Sequence, residues 1–280
     1  MNRPQWITAV TGICFVVLLY FFGRTVPAGK TTIQAPSANG AASLSTDSII
    51  ARAKARLSTD QVIRLNELEN SISRGDVHNQ QLQVYHQLVQ FWRDTARIFE
   101  PYAWYEAESA RLENSEKSLT FAAHLFLDNL RAEENPALRT WKALQAKDLF
   151  ERSLKINPRN DSSQVGLGAC YIFGNISETP MEGIMKIRQV VEKDSTNVYA
   201  QMMLGNGSML SGQYDKAIVR FQTVIRMQPD NLEAMLVLAE AYERKGDIPP
   251  AIQWYQKSLP FIKIEEVRKE VENRIKELKK

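Results

Sequence analysis

The sequence predicts an all-α protein: a helix-turn-helix solenoid with an N-terminal transmembrane helix and a C-terminal capping helix. Three observations predict it. Residues of matching type recur at intervals of 34 in the second half of the chain, a period at which stacked helical repeats are built. No segment sustains the period-two alternation of a strand bounded by turn signals. One apolar run near the N-terminus, Trp6 to Phe22, carries no charge.

That run, WITAVTGICFVVLLYFF, is assigned as an anchor over residues 6–23, behind a short tail at 1–5. At ~1.5 Å per residue it spans roughly 25 Å as a helix, and Gly23 extends it toward the thickness of a bilayer core. Trp6, Tyr20, Phe21 and Phe22 stand where an aromatic belt forms. A cleaved signal peptide is the competing assignment, with Arg3 as its basic start and Val26-Pro27-Ala28 as a loose cut site. The length of the run and the immediate Arg24 favour an uncleaved, single-pass cell-membrane protein. Arg3 and the terminal amine before the span balance Arg24 and Lys30 after it, so flanking charge gives almost no orientation. The signal-like layout favours the folded part on the periplasmic, extracytoplasmic side.

Residues 24–46 are rich in small and turn-forming types and poor in large apolar ones, which predicts a flexible tether. As a coil its ends lie on the order of 25 Å apart, enough to lift a folded body off the headgroups. N-terminal helices are expected over 47–115. Ser58-Thr59-Asp60-Gln61 reads as a capping box ahead of Val62, Ile63, Leu65 and Leu68, and Gly75 ends that helix. Leu82, Tyr85, Leu88, Val89 and Trp92 mark a second amphipathic helix, which Pro101 closes or kinks.

The recurrence is specific. Asn197 and Asn231, Leu204 and Leu238, Gly212 and Gly246, Ala217 and Ala251, and Phe221 and Tyr255 are each 34 residues apart. One unit earlier the interval is 37 for Asn160/Asn197, Leu167/Leu204, Gly168/Gly205 and Tyr171/Ser208. It returns to 34 for Gly183/Ala217, Ile187/Phe221 and Val190/Val224, which places a three-residue insertion near 175–180.

These residues resemble the tetratricopeptide repeat, whose pattern sets Leu-Gly-x-x-Tyr on a first helix, Ala-x-x-x-Phe on a second, and a closing Pro. Leu167-Gly168 with Tyr171, Leu204-Gly205, Ala217 with Phe221, Pro229, Leu238-Ala239 with Tyr242, and Ala251 with Tyr255 fit it. Ala146, Phe150 and Pro158 fit an earlier second helix, with Ala122, Ala123 and Phe126 as its first helix beyond a long loop containing Pro136. Tyr85 to Glu113 is a weaker copy. Gly183, Ser195 and Ser208 depart from the usual Ala, Pro and Tyr. The resemblance implies repeats over 116–263. Val267, Val271, Ile275 and Leu278 on one face of 264–280 mark the capping helix such arrays need.

It further implies a concave face lined by first helices. By family position these residues are Ser162, Val165, Ala169, Ile172 and Phe173, then Tyr199, Met202, Asn206, Met209 and Leu210, then Glu233, Leu236, Glu240, Glu243 and Arg244. The partner-binding set is Val165, Ala169, Ile172, Phe173, Tyr199, Met202, Asn206, Met209, Leu210, Leu236, Glu240 and Glu243. An apolar groove edged by Glu240 and Glu243 suits an amphipathic or extended protein segment. The competing reading is that some of these side chains pack against neighbouring helices. Family members that clamp a chaperone's terminal carboxylate use Lys, Asn and Arg here, and only Asn206 matches, which disfavours that ligand.

Other chemistry lacks support. Gly23 to Thr31 has five residues between its glycines where a phosphate loop needs four, and follows an apolar span instead of a strand. His78, His86 and His124 have no ligand spacing, so no metal or other cofactor is expected. Cys14 lies in the span and Cys170 reads as a small buried residue. A net charge of +3 from 35 basic and 32 acidic residues indicates a mixed surface with no nucleic-acid face. The expected function is therefore a non-enzymatic, membrane-tethered scaffold for unidentified protein partners in envelope protein secretion or folding. The alternatives are an accessory subunit of an enzyme or cytochrome-maturation complex, and an enzyme with its site in the N-terminal helices. Oligomeric state is left open.

Overall fold

The computed structural model describes residues 44–72, 78–176 and 180–280, all within one unit, Ala41–Lys280. The predicted anchor, most of the tether and the phosphate-loop-like stretch lie outside the described residues. Among the described residues no helix is long and apolar enough to cross a membrane.

Every regular element among the described residues is helical. In chain order they are α1 (Thr46–Lys54), α2 (Thr59–Ile72), α3 (His78–Gln90) running into a π-helical turn (Phe91–Ala96), α4 (Phe99–Glu113), α5 (Glu116–Leu130) and α6 (Pro136–Ile156). There follow α7 (Asp161–Phe173), α8 (Met181–Lys193), α9 (Val198–Leu210), α10 (Tyr214–Met227), α11 (Leu232–Lys245), α12 (Ile248–Ser258) and α13 (Glu265–Leu278). Each helix from α5 onward packs on its successor, and the first helices α5, α7 and α9 also touch in series. This nearest-neighbour pattern is that of a solenoid.

The recurring residues explain the stacking. Asn160, Asn197 and Asn231 each cap a first helix, their Oδ1 accepting from the backbone N–H of Ser163, Ala200 and Ala234 at 2.9, 2.9 and 2.8 Å. An Asn here satisfies a donor that the helix itself leaves open. Ala217, Ala239 and Ala251 are fully buried. At Gly205 even a methyl group would overlap the ring of Phe221. The unusual Gly183 has a similar cause, since a Cβ there would collide with the Gly168 carbonyl of the paired helix.

The capping box at the start of α2 forms reciprocally: the Ser58 N–H donates to Gln61 Oε1 at 3.0 Å, and the Gln61 N–H donates to Ser58 Oγ at 3.4 Å. α13 covers the last repeat through Val271 and Ile275, which join Ala239, Tyr255 and Ile262 in one apolar cluster. The end of the predicted tether is already folded: α1 begins at Thr46, whose Oγ1 accepts from Trp141 Nε1 at 3.0 Å.

Two prolines, Pro101 expected to close or kink a helix and Pro136 to lie in a long loop, instead occupy the first turns of helices. Pro101 does not close α3. That helix ends through the π turn at Arg97 (φ 55°), and Pro101 lies in the first turn of α4. Pro136 does not sit in a long loop; it occupies the first turn of α6, capped by Asn135. Both positions tolerate proline because first-turn N–H groups lack intrahelical partners. At the join between the N-terminal helices and the array, Lys142 is buried, contacting Glu133, Asn129 and Glu100.

Candidate functional site

A groove of about 430 Å³ lies where the first helices converge. α5 contributes Leu130, with Arg131 at its end; α6 gives Arg139 and α7 gives Phe173. Asn206, Met209 and Leu210 come from α9, and Val237, Glu240 and Arg244 from α11. Val237, Glu240 and Arg244 are three and four residues apart, so they share one face of α11.

The groove combines apolar walls with a charged rim. Leu210 is 68% exposed, a large apolar side chain open to solvent. Glu240 accepts from Arg244 at 2.7 Å, and Arg131 pairs with Glu233 at 3.5 Å, joining the end of α5 to the start of α11. The Arg131 guanidinium also lies 5.9 Å from the centre of the Phe173 ring, within range of a cation–π contact. Arg139 donates to the Glu133 carbonyl at 2.9 Å. Beneath this rim the Asn206 side chain is 8% exposed, and its Nδ2 has no hydrogen-bond partner. Leaving such a donor unpaired costs on the order of 1–3 kcal/mol.

Of the predicted partner-binding residues, the structure brings together Phe173, Asn206, Met209, Leu210 and Glu240. The others stand elsewhere. Val165 and Ala169 are fully buried, and Met202 is 5% exposed. The cause is visible in α5 and α9, which approach each other past α7. His124 of α5 donates to or accepts from Ser162 Oγ at 2.8 Å, and its ring meets that of Tyr199 of α9 at 5.4 Å. Tyr199 is thus held inside, where burial pushes its hydroxyl far up from the usual tyrosine range. Ile172 is buried and lines a separate cavity beside α8. Leu236 packs into the capping cluster. Glu243 turns away from the groove; it accepts from Tyr255 Oη at 3.0 Å and pairs with Arg274 of α13.

Residue-by-residue reading of the repeat misses Leu130, Arg131 and Arg139, because it reads the stretch between Phe126 and Ala146, which holds the end of α5 and the start of α6, as loop. It also misses Val237. Glu233, Glu240 and Arg244 stand at i, i+7 and i+11 of one helical stripe, whose i+4 position is Val237, and that spacing is the signal for it.

The remaining candidates have structural roles. His78 Nε2 lies 3.1 Å from the Leu112 carbonyl, and His86 lies 3.6 Å from Glu113. Burial holds His124 below the ordinary histidine range, against a smaller opposing effect of Asp128. Cys170 is buried, which pushes its thiol far up and away from reactivity. Among the described residues no three His, Cys, Asp or Glu side chains are grouped to hold a metal.

Comparison with known proteins agrees with this architecture. Residues 190–262 match the family model described as tetratricopeptide repeat. The chain is 30% identical over 115 residues to lipopolysaccharide assembly protein B of Haemophilus influenzae, covering 39% of this chain and 28% of that protein. It is 25% identical over 134 residues to BBSome complex member BBS4 of Bos taurus, covering 48% of this chain and 25% of that one. The chain thus spans well under half the length of either curated relative. Among solved structures, a repeat protein from Parabacteroides merdae shares the fold at a TM-score of 0.50 and 14% identity, covering 83% of this chain and 96% of that one.

Proposed function

We propose, from the premise that this chain carries tetratricopeptide repeats, that it is a non-enzymatic scaffold holding a protein segment in the groove between Phe173, Asn206, Leu210 and Glu240. The observation that carries the reading is the juxtaposition of an open apolar wall with one buried, unpartnered amide. Leu210 and Met209 offer contact area, and methionine adapts to varied side chains. Asn206 Nδ2 offers one directional hydrogen bond to a backbone carbonyl.

Tethering is part of the same proposal. The uncharged run at residues 6–23 holds the groove near a bilayer, on the extracytoplasmic side by its signal-like layout. The stretch similar to a protein named for lipopolysaccharide assembly directs the search for partners to envelope assembly, secretion and folding.

The test is site-specific photo-crosslinking in cells making the full chain. A photoreactive residue at Leu210 is expected to give a discrete adduct, whereas one at exposed Ile63 on α2 does not. Phe173→Glu should remove the adduct while leaving helicity unchanged. Met202 is unsuited to this test, since its burial means that a charge there perturbs the fold itself. Equal adducts from Leu210 and Ile63, or an adduct indifferent to Phe173→Glu, would reject the groove as the contact.

A further inference from the structure

A second cavity, of about 670 Å³, lies between the second helices α8 and α10, with α9 as its floor. Its apolar lining includes Ile172, Ile184 and Leu204, and its mouth is marked by Met181 and Val219, 58% and 60% exposed. Arg188, Ser208, Lys216 and Arg220 also line it.

The cavity has an origin in the repeat. Ser208 occupies the place that Tyr171 and Tyr242 hold in the neighbouring units. In the next unit the Tyr242 hydroxyl accepts from Gln222 Nε2 at 2.9 Å, so that the ring bridges α11 and α10. Gln222 precedes Tyr242 by 20 residues, and Arg188 precedes Ser208 by the same 20. Where the next joint has a ring and its hydrogen-bonded partner, this joint has a short hydroxyl and an arginine. The Ser208 hydroxyl turns back to the Leu204 carbonyl of its own helix at 2.8 Å. Arg188 makes no hydrogen bond or ion pair among the described residues.

Charge adds a second constraint. Among the described residues that line the cavity, Arg188, Lys216 and Arg220 stand against a single acid, Asp215, and that acid is paired with Lys245 at 2.9 Å. Arg220 donates to Gln201 Oε1 at 2.9 Å, a neutral acceptor that leaves its charge uncompensated. Burial, and then the nearby charge of Arg188, hold the Arg220 guanidinium below its usual range.

We infer that this cavity docks an extended protein segment bearing a tyrosine flanked by acidic residues, the tyrosine ring entering beside Ser208 with its hydroxyl accepting from Arg188. The ring supplies the packing that the Ser208 unit lacks, and the flanking carboxylates meet Arg220 and Lys216. The site is separate from the groove on the first helices.

Full-length protein in detergent micelles is titrated with a blocked five-residue peptide, one tyrosine between two glutamates on each side, and with its tyrosine-to-alanine counterpart. The tyrosine peptide is expected to bind at least ~10-fold more tightly, the equivalent of about 1.4 kcal/mol. Ser208→Tyr fills the cavity from within, and should weaken peptide binding at least ~10-fold while raising the melting temperature. Arg188→Glu, a change on the surface of a formed helix, should abolish binding without altering helicity. Leu210→Glu should leave binding unchanged. The proposal is overturned if neither peptide binds, if the two peptides bind alike, or if Arg188→Glu binds as the parent does. Undiminished binding by a folded Ser208→Tyr protein overturns it as well.

Discussion

The helices between Thr46 and Glu113 and those after Glu116 reach burial by different means. In the array, small residues let backbones approach and a large side chain closes each of these joints, as Phe150 does over Gly166, Ile187 over Gly168 and Phe221 over Gly205. Around Trp92 in the N-terminal part, large side chains converge instead. Trp92 is fully buried among Leu65, Leu68, Leu88, Phe91 and Ile98. Its backbone is irregular, with a π turn ending at a left-handed Arg97. Long polar side chains join its helices: Tyr105 Oη donates to Glu69 at 3.0 Å, and Lys54 pairs with the same carboxylate at 2.7 Å. One design fixes distance through absent atoms and repeats it. The other fixes a single shape through bulk.

The comparison breaks most readily at Trp92. Trp92→Ala should cost about 3–5 kcal/mol, the range for emptying an aromatic site in a core. If the two parts are held by separate means, amide exchange should rise in α2, α3 and α4 while α9 to α12 stay protected. A uniform rise along the chain would show one cooperative body. Trp92→Phe sharpens the point. Because Trp92 Nε1 has no hydrogen-bond partner, its loss forfeits no bond, and the cost should stay below about 1.5 kcal/mol.

The corresponding change in the array is Gly205→Val. Its side chain would overlap the Phe221 ring, and overpacking of this kind costs about 1–3 kcal/mol. Exchange should rise in α9 and α10 and leave α2 and α3 unaffected. Combining it with Phe221→Leu should recover part of the loss, since the two positions share one space. Strict additivity of the two changes would mean that the joint does not depend on their contact.

What was legible in the sequence follows the same division. Spacing reveals small residues and caps, so Asn160, Asn197, Asn231, Ala217 and Ala251 carried the array and its cap at Val271 and Ile275. Proline is ambiguous by itself: Pro101 and Pro136 are consistent with either end of a helix, and only the neighbouring cap decides. The candidate site was half legible. Family positions found Phe173, Asn206 and Leu210, but they presume an open concave face. His124 reaching Tyr199 past α7 closes that face over Val165 and Ala169, and a contact between first helices two repeats apart leaves no trace in a periodicity.

The smallest effect is expected at the far end of the array, where Glu243 ties α11 to the cap. Arg274 and then Tyr255 hold its carboxyl below the usual glutamate range, against the upward push of burial. Its folded value is therefore depressed, so the contribution is complete above the unfolded pKa of about 4.3 and fades as pH falls through the lower folded value. Arg274 is 46% exposed, and water around a half-exposed cation weakens such a pair. Acidification below pH ~4 should thus raise exchange in α13 before α9 and α10 respond. Glu243→Gln should place the cap in that loosened state already at neutral pH and flatten its acid response. If α13 exchanges at the same pace in both proteins across this range, the apolar contacts of Val271 and Ile275 alone hold the cap, which is then secured by bulk as the Trp92 cluster is.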